Sequence, residues 1–284
     1  MIRGTVLHEL FNLPSYLLAV KASPKVTYPV RKIPFGKHTR QYCLVVEPET
    51  TPLAWVVYWH GGGWQFGNPE QFQKTANAWL EAGYGVMIPS YRRLPWYDYR
   101  AIRNDTIQAL ATCGNYWKSK EGNPCPPVIF LGMSAGGHLA TIASLDTDIW
   151  QQAGWQTQQI KGVVACGGVL DFSLMKYNPI IRLLAGSPRG KTYAMADPAA
   201  HLGHTKGHLP PILLIHGTSD GLAPYQAAVG FQKHYQDLGL STNCDLITLP
   251  QGTHLDAARW MFHDTPLRKM IMAKAQEWIS GEKV

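Results

Sequence analysis

Residues 130–140 read FLGMSAGGHLA: a serine with glycines two positions before and two after it, where an apolar run gives way to a helical one. Gly132 and Gly136 allow a turn tight enough to lift the Ser134 hydroxyl above a sheet, and Gly137 allows close helix–strand packing. A serine hydroxyl is a poor nucleophile at neutral pH unless a base takes its proton, and that base needs a group to fix its tautomer. Both are found past later apolar runs. Asp220 follows PPILLIHG, and His254 follows CDLITLP in the loop QGTHLDA. Earlier in the chain, YWHGGGWQFG at 58–67 carries three successive glycines, whose N–H groups are unobstructed and able to face a developing oxyanion. Gly62 and Gly63 are the candidate donors there, joined by the amide of Ala135 at the start of the following helix. His60 reads as an anchor for this loop rather than as an acid or base.

Other ionisable residues have plainer readings. His216 lies at a strand end and reads as a core or loop-anchoring histidine, Asp256 as a helix cap, and Asp171 as a structural or pocket residue. HLGHTKGH gathers His201, His204 and His208, but Gly203 and Gly207 oppose the helix that would hold them as ligands and no carboxylate stands alongside, so no metal is expected. AGSPRGKT at 185–192 resembles a phosphate-binding loop but has Ala185 where the strict pattern wants glycine, and Pro198 follows too soon for a long helix. No cofactor is expected.

The elements that must position these residues can be read from periodicity. Residues 7–18 place Leu7, Leu10, Phe11, Leu17 and Leu18 at helical spacing around Pro14, predicting one or two short amphipathic turns within an N-terminal arm, 1–25. KVTYPVRKI and RQYCLVVEP flank the turn-like PFGKH and predict an antiparallel hairpin. From LAWVVYW onward, the apolar runs YGVMIPS, PVIFLG, KGVVAC, PPILLIHG and CDLITLP alternate with amphipathic stretches, the pattern of a mostly parallel sheet covered by helices on both faces. Ligands of such α/β sheets bind beyond the carboxyl ends of the strands, where the candidate residues stand. The proline-rich excursion 168–209 reads as a small cap on a single domain, 1–284. With HGGGW it suggests substrate contacts at Trp64, Phe66, Phe172, Met175 and Tyr177.

Composition bounds the function. With 284 residues, 45% hydrophobic and 16% charged, the chain is suited to a packed globular core. The formal charge is +7, yet Lys and Arg are scattered and form no basic stripe, which argues against nucleic-acid binding. Cys43, Cys113, Cys125, Cys166 and Cys244 are widely spaced and odd in number, so reduced thiols and a cytoplasmic location are expected. No apolar run reaches the length of a membrane span, roughly 20 residues.

HGGGW at 60–64, SYRRLP at 90–95, GMSAGGHLA at 132–140, LLIHGTSDGLAP at 213–224 and the late His254 together resemble the α/β-hydrolase carboxylesterases, in the branch of hormone-sensitive-lipase-like esterases and related arylformamidases. The chain order Ser134, Asp220, His254 is that of the triad of this fold. The resemblance implies an eight-stranded sheet, hydrolysis of esters of small to medium acyl chain through an acyl-enzyme, and no metal. SYRRLP stands where YRLAP is more usual, and Met133 where many relatives carry Asp or His. Amide cleavage of the arylformamidase kind and a non-catalytic ligand receptor on the same fold are the alternatives; a homodimer is left open.

Overall fold

The computed structural model describes residues 3–121, 126–175, 177–203, 209–240 and 244–281. Eight strands form one sheet: β1 (Val30–Pro34), β2 (Tyr42–Val46), β3 (Trp55–Trp59), β4 (Gly85–Pro89), β5 (Val128–Met133), β6 (Ile160–Cys166), β7 (Ile212–Gly217) and β8 (Cys244–Leu249). Their order is β1-β2-β4-β3-β5-β6-β7-β8. β2 pairs antiparallel with both β1 and β4, while every pairing from β4 to β8 is parallel. The expected hairpin therefore leads into a parallel sheet, as the runs of apolar residues require.

Strand pleating explains why those runs are apolar throughout. Trp55, Val57, Trp59, Val128 and Phe130 point to one face, where they meet Trp117, Leu139 and Phe231 from the helices Tyr99–Glu121, Ala135–Leu145 and Tyr225–Tyr235. Val56, Tyr58, Ile129 and Leu131 point to the other, against Tyr16, Trp79, Trp260 and Ile271. Neither face of the central strands reaches water, so no polar alternation appears in them.

The N-terminal arm differs from the expectation. Instead of short turns broken at Pro14, one helix runs through it, Val6–Ala22, capped by Thr5, whose Oγ1 accepts from the His8 N–H. Proline removes the N–H that would bond the Leu10 carbonyl, but both residues are solvent-exposed, so water can satisfy that carbonyl. The apolar spacing is also turned outward: Leu7, Leu10, Phe11, Leu17 and Leu18 are exposed, and the buried side chains are Glu9 and Tyr16.

Among the described residues, the excursion after β6 forms four short helical pieces, Phe172–Met175, Pro179–Ala185, Lys191–Ala196 and Pro198–Leu202. AGSPRGKT joins two of them and follows no strand. His201 Nε2 stands 3.0 Å from the Met195 carbonyl, while His204 and His208 lie outside the described residues. Among the described residues no group of His, Cys, Asp and Glu could hold a metal ion, and no helix is long and apolar enough to cross a membrane.

Candidate active site

Ser134 is the hinge between β5 and the helix Ala135–Leu145, with φ 56° and ψ −120°. A non-glycine residue adopts such a backbone only when its surroundings enforce it. Here the Ser134 amide donates to the Cys166 carbonyl of β6 at 2.8 Å, and its own carbonyl accepts from the His138 N–H at 3.0 Å. Gly136 allows the close approach: a Cβ there would fall 1.9 Å from the Trp59 carbonyl oxygen at the end of β3. Small residues around one serine thus let the helix start against two strand ends while the hydroxyl stays half-exposed.

The candidate acid and base meet as their positions past β7 and β8 suggest. Asp220 Oδ2 accepts from His254 Nδ1 at 2.7 Å, and both side chains are almost fully buried. The other carboxylate oxygen, Oδ1, accepts from the Leu222 and Ala223 amides, each at 2.8 Å. Burial opposes ionisation of Asp220, but the charge of His254 and the hydrogen bonds from His216 and His254 outweigh it and hold the carboxyl well below its usual range. For His254, burial opposes the imidazolium, and the Asp220 charge and hydrogen bond, with a smaller contribution from Glu9, raise its pKa above the ordinary histidine value. The imidazole lies over Gly167, where an added Cβ would come within 3.1 Å of the ring. Gly167 follows the residue whose carbonyl holds the Ser134 amide, so the His254 ring, carried on the loop after β8, packs over the β6 end that adjoins Ser134 at the end of β5. His254 Nε2 is buried and has no hydrogen-bond partner among the described residues. Catalytic hydrogen bonds commonly close only when substrate is bound.

The glycine loop borders the serine from the β3 side. A Cβ on Gly61 would approach the Ser134 Cβ to 3.4 Å. Gly62 has φ 125°, and its carbonyl accepts from the Gln65 and Phe66 amides, turning the loop back on itself. His60 anchors it: buried, stacked on Tyr91 at 4.8 Å, with Nδ1 2.8 Å from the Gly61 carbonyl. Burial, the dominant influence, pushes its pKa down to about 4, so it stays neutral near pH 7.

Several supports escaped the sequence reading. SYRRLP braces the glycine loop: Leu94 donates its amide to the Trp64 carbonyl at 3.0 Å, Arg93 Nη1 bonds the Gly67 carbonyl, and Tyr91 donates its hydroxyl to the His60 carbonyl. Arg92 is fixed by Asp105, which is fully buried and also accepts from the Arg92 amide and from Gln41 Nε2. His216 does more than anchor a loop, for its Nε2 lies 3.0 Å from Asp220 Oδ2 and 3.0 Å from the Ala223 carbonyl. His138, two residues beyond the glycine pair's start, is buried with Nε2 2.7 Å from the Ala196 carbonyl and its ring stacked on Phe172. It ties the helix Ala135–Leu145 to the excursion. Its neighbour in sequence terms, the GxSxG string, gave no signal of this.

The remaining expected site residues scatter in exposure. Trp64 is buried beside His138, Phe172 is wholly in the core, and Phe66 and Tyr177 are exposed at 69% and 86%. Met175 and Tyr177 border a pocket of about 460 Å³ that abuts Asp220, Gly221 and Leu222 rather than Ser134. Asp171 Oδ1 accepts from the Ser173 amide, and Asp256 bonds Thr253 and Arg259, so both serve local structure.

A family model described as BD-FAE matches residues 44–235. The chain is 29% identical over 199 residues to a probable carboxylic ester hydrolase, LipM, of Mycobacterium tuberculosis, spanning 64% of this chain and 44% of that protein. It is 24% identical over 257 residues to a probable isoprenylcysteine alpha-carbonyl methylesterase, ICMEL2, of Arabidopsis thaliana, spanning 84% of this chain and 59% of that one. This chain therefore spans about half the length of these relatives. Among solved structures, esterase B from Lactobacillus rhamnosis superposes with a TM-score of 0.76 at 18% identity, covering 97% of this chain and 93% of the other; that likeness is one of fold, an α/β-hydrolase fold.

Proposed function

Because the chain belongs to the BD-FAE family, we propose that it is a serine carboxylesterase acting on small-molecule esters of small to medium acyl chain. The observation that carries the reading is the Asp220–His254 contact of 2.7 Å beside a serine forced to positive φ, with the imidazole Nε2 left free. In this mechanism His254 Nε2 takes the Ser134 proton as Oγ attacks the ester carbonyl, and the carbonyl electrons move onto oxygen. The N–H groups of Gly62, Gly63 and Ala135 face that oxyanion. Collapse of the tetrahedral adduct expels the alcohol, which receives the proton from the imidazolium, and leaves an acyl-serine. Water, activated by the same imidazole, adds to the acyl carbonyl and releases the acid. Asp220 keeps the proton on Nδ1 throughout and stabilises the transient positive charge.

In this proposal the exposed Phe66 and the excursion, acting as a small cap, supply the pocket walls, with Met175 and Tyr177 on its side toward Asp220, while Trp64 and Phe172 are buried. The four described cysteines are unpaired and buried, which accords with a cytoplasmic location. The test is a series of p-nitrophenyl esters from acetate to long acyl chains, alongside a formyl-anilide and a Ser134→Ala control. Turnover of the short esters, lost in the control together with labelling by an active-site phosphonate, is expected. Phosphonate labelling elsewhere, or undiminished turnover by Ser134→Ala, refutes it; faster cleavage of the anilide assigns the site to amides instead.

A further inference from the structure

Glu9 is buried, at 3% exposure, on the inner face of the N-terminal helix, where apolar spacing alone would place a hydrophobic side chain. Its Oε1 accepts from two backbone amides: His254 at 2.8 Å and Gly221 at 3.0 Å. One belongs to the proposed base itself and the other is next in sequence to its acid. The two loops leave different strands, β8 and β7, and a single oxygen from a third, distant segment bonds both. Oε2 is buried without a hydrogen-bond partner, and no ion pair to Glu9 occurs among the described residues. A carboxylate serving only to fasten the helix would gain more from a cation or from water.

The surrounding contacts keep the helix in register with the site. A Cβ on Gly221 would fall 2.4 Å from the Thr5 carbonyl oxygen, so the start of the helix sits directly on the acid loop. Further along, the Tyr16 hydroxyl reaches Met133 Sδ at 3.4 Å, next to the nucleophile, and Ser15 Oγ accepts from Arg259 Nη2 at 3.0 Å. These contacts hold the helix against the site, and Glu9 within it bonds both loops, which also bond each other through the Ser219 amide and Gly252 carbonyl and through the Gln251 amide and Thr218 Oγ1.

We propose that Glu9 is a positioning residue, whose Oε1 sets the distance between the His254 and Asp220 loops by bonding the amides of His254 and Gly221. The proposal rests on the esterase reading for its kinetic readout but has a second, substrate-free one. A positioning role depends on where the acceptor oxygen lies, so two variants divide it from charge and from bulk stability. Glu9→Gln keeps an acceptor in place and removes the charge. Glu9→Asp keeps the charge but retracts the oxygen by one carbon–carbon bond, about 1.5 Å.

Displacements near 1 Å in a catalytic constellation lower rates by about 10²-fold. Glu9→Asp is thus expected to lose roughly 10- to 100-fold in kcat with KM within about twofold of the parent, while Glu9→Gln stays within about fivefold in kcat. The substrate-free readout is the far-downfield proton resonance of the His254 Nδ1–H bonded to Asp220. It should shift or broaden in Glu9→Asp and persist in Glu9→Gln. Parental kcat and resonance in Glu9→Asp, or equal impairment of the two variants, overturns the proposal. If the parent protein turns over no ester, the esterase reading fails by itself, and the resonance alone decides on Glu9: its persistence unchanged in Glu9→Asp counts against positioning.

Discussion

Replacing Asp220 by Asn tests the proposed triad through the proton on one nitrogen. In the structure Oδ1 receives two fixed donors, the Leu222 and Ala223 amides at 2.8 Å, whereas Oδ2 faces His254 Nδ1 and His216 Nε2. An asparagine must place its carbonyl oxygen where the two backbone N–H groups point, since the reverse orientation would set donors against donors. Its NH2 group then faces His254 Nδ1 and stabilises the tautomer protonated on Nε2. That tautomer has no lone pair for the Ser134 proton. The loss of rate from inverting a Ser-His-Asp triad in this way is about 10⁴-fold, or roughly 5.5 kcal/mol of transition-state stabilisation. The pH profile supplies an independent check. In the parent, His254 must be neutral to act as base, so kcat/KM rises with pH through an apparent pKa above the ordinary histidine value, 6.5, because the Asp220 charge favours the imidazolium. Without that charge the limb moves to lower pH. The assay is p-nitrophenyl butyrate hydrolysis from about pH 5 to 9 on both proteins, with circular dichroism to verify folding. A decrease of less than about tenfold, or an acidic limb that stays where it is in the parent, refutes this account of the site.

Gly62→Ala forces a side chain onto a residue at φ 125° whose Cβ would lie 2.3 Å from the Phe66 carbonyl oxygen, so the glycine loop must move. A fall of about 10² in kcat with little change in KM is expected, and unaltered kcat would remove this loop from the mechanism. Arg92→Ala leaves the fully buried Asp105 carboxylate with a lost charge partner and should destabilise the fold by about 3 kcal/mol, read by urea unfolding. Loss below about 1 kcal/mol would show that Gln41 and the Arg92 amide suffice for Asp105.

How much of this was legible in the sequence depends on the range over which each signal acts. The strands were recoverable because residues buried on both faces must be apolar, as in VIFLGM of β5 and ILLI of β7. The sharp turn at Ser134 was recoverable because it demands small residues at fixed offsets. The N-terminal arm was legible as helical, but not as one helix running through Pro14 and not in its orientation: periodicity reports that an apolar face exists, and only packing reveals that Leu7, Phe11 and Leu18 face outward while Glu9 and Tyr16 face in.

The chain by itself determined the order of chemical groups and the strand ends that carry them, since those demands are met within a few neighbouring residues. Tertiary structure alone decided which groups meet. Glu9 bonds an amide 245 positions away, His138 a carbonyl 58 away, and His216 and His254 share one oxygen of Asp220. Backbone amides and carbonyls are common to nearly all residues, so a side chain that binds them leaves no pattern at its target, and its partner exists only once the strands have brought distant loops together.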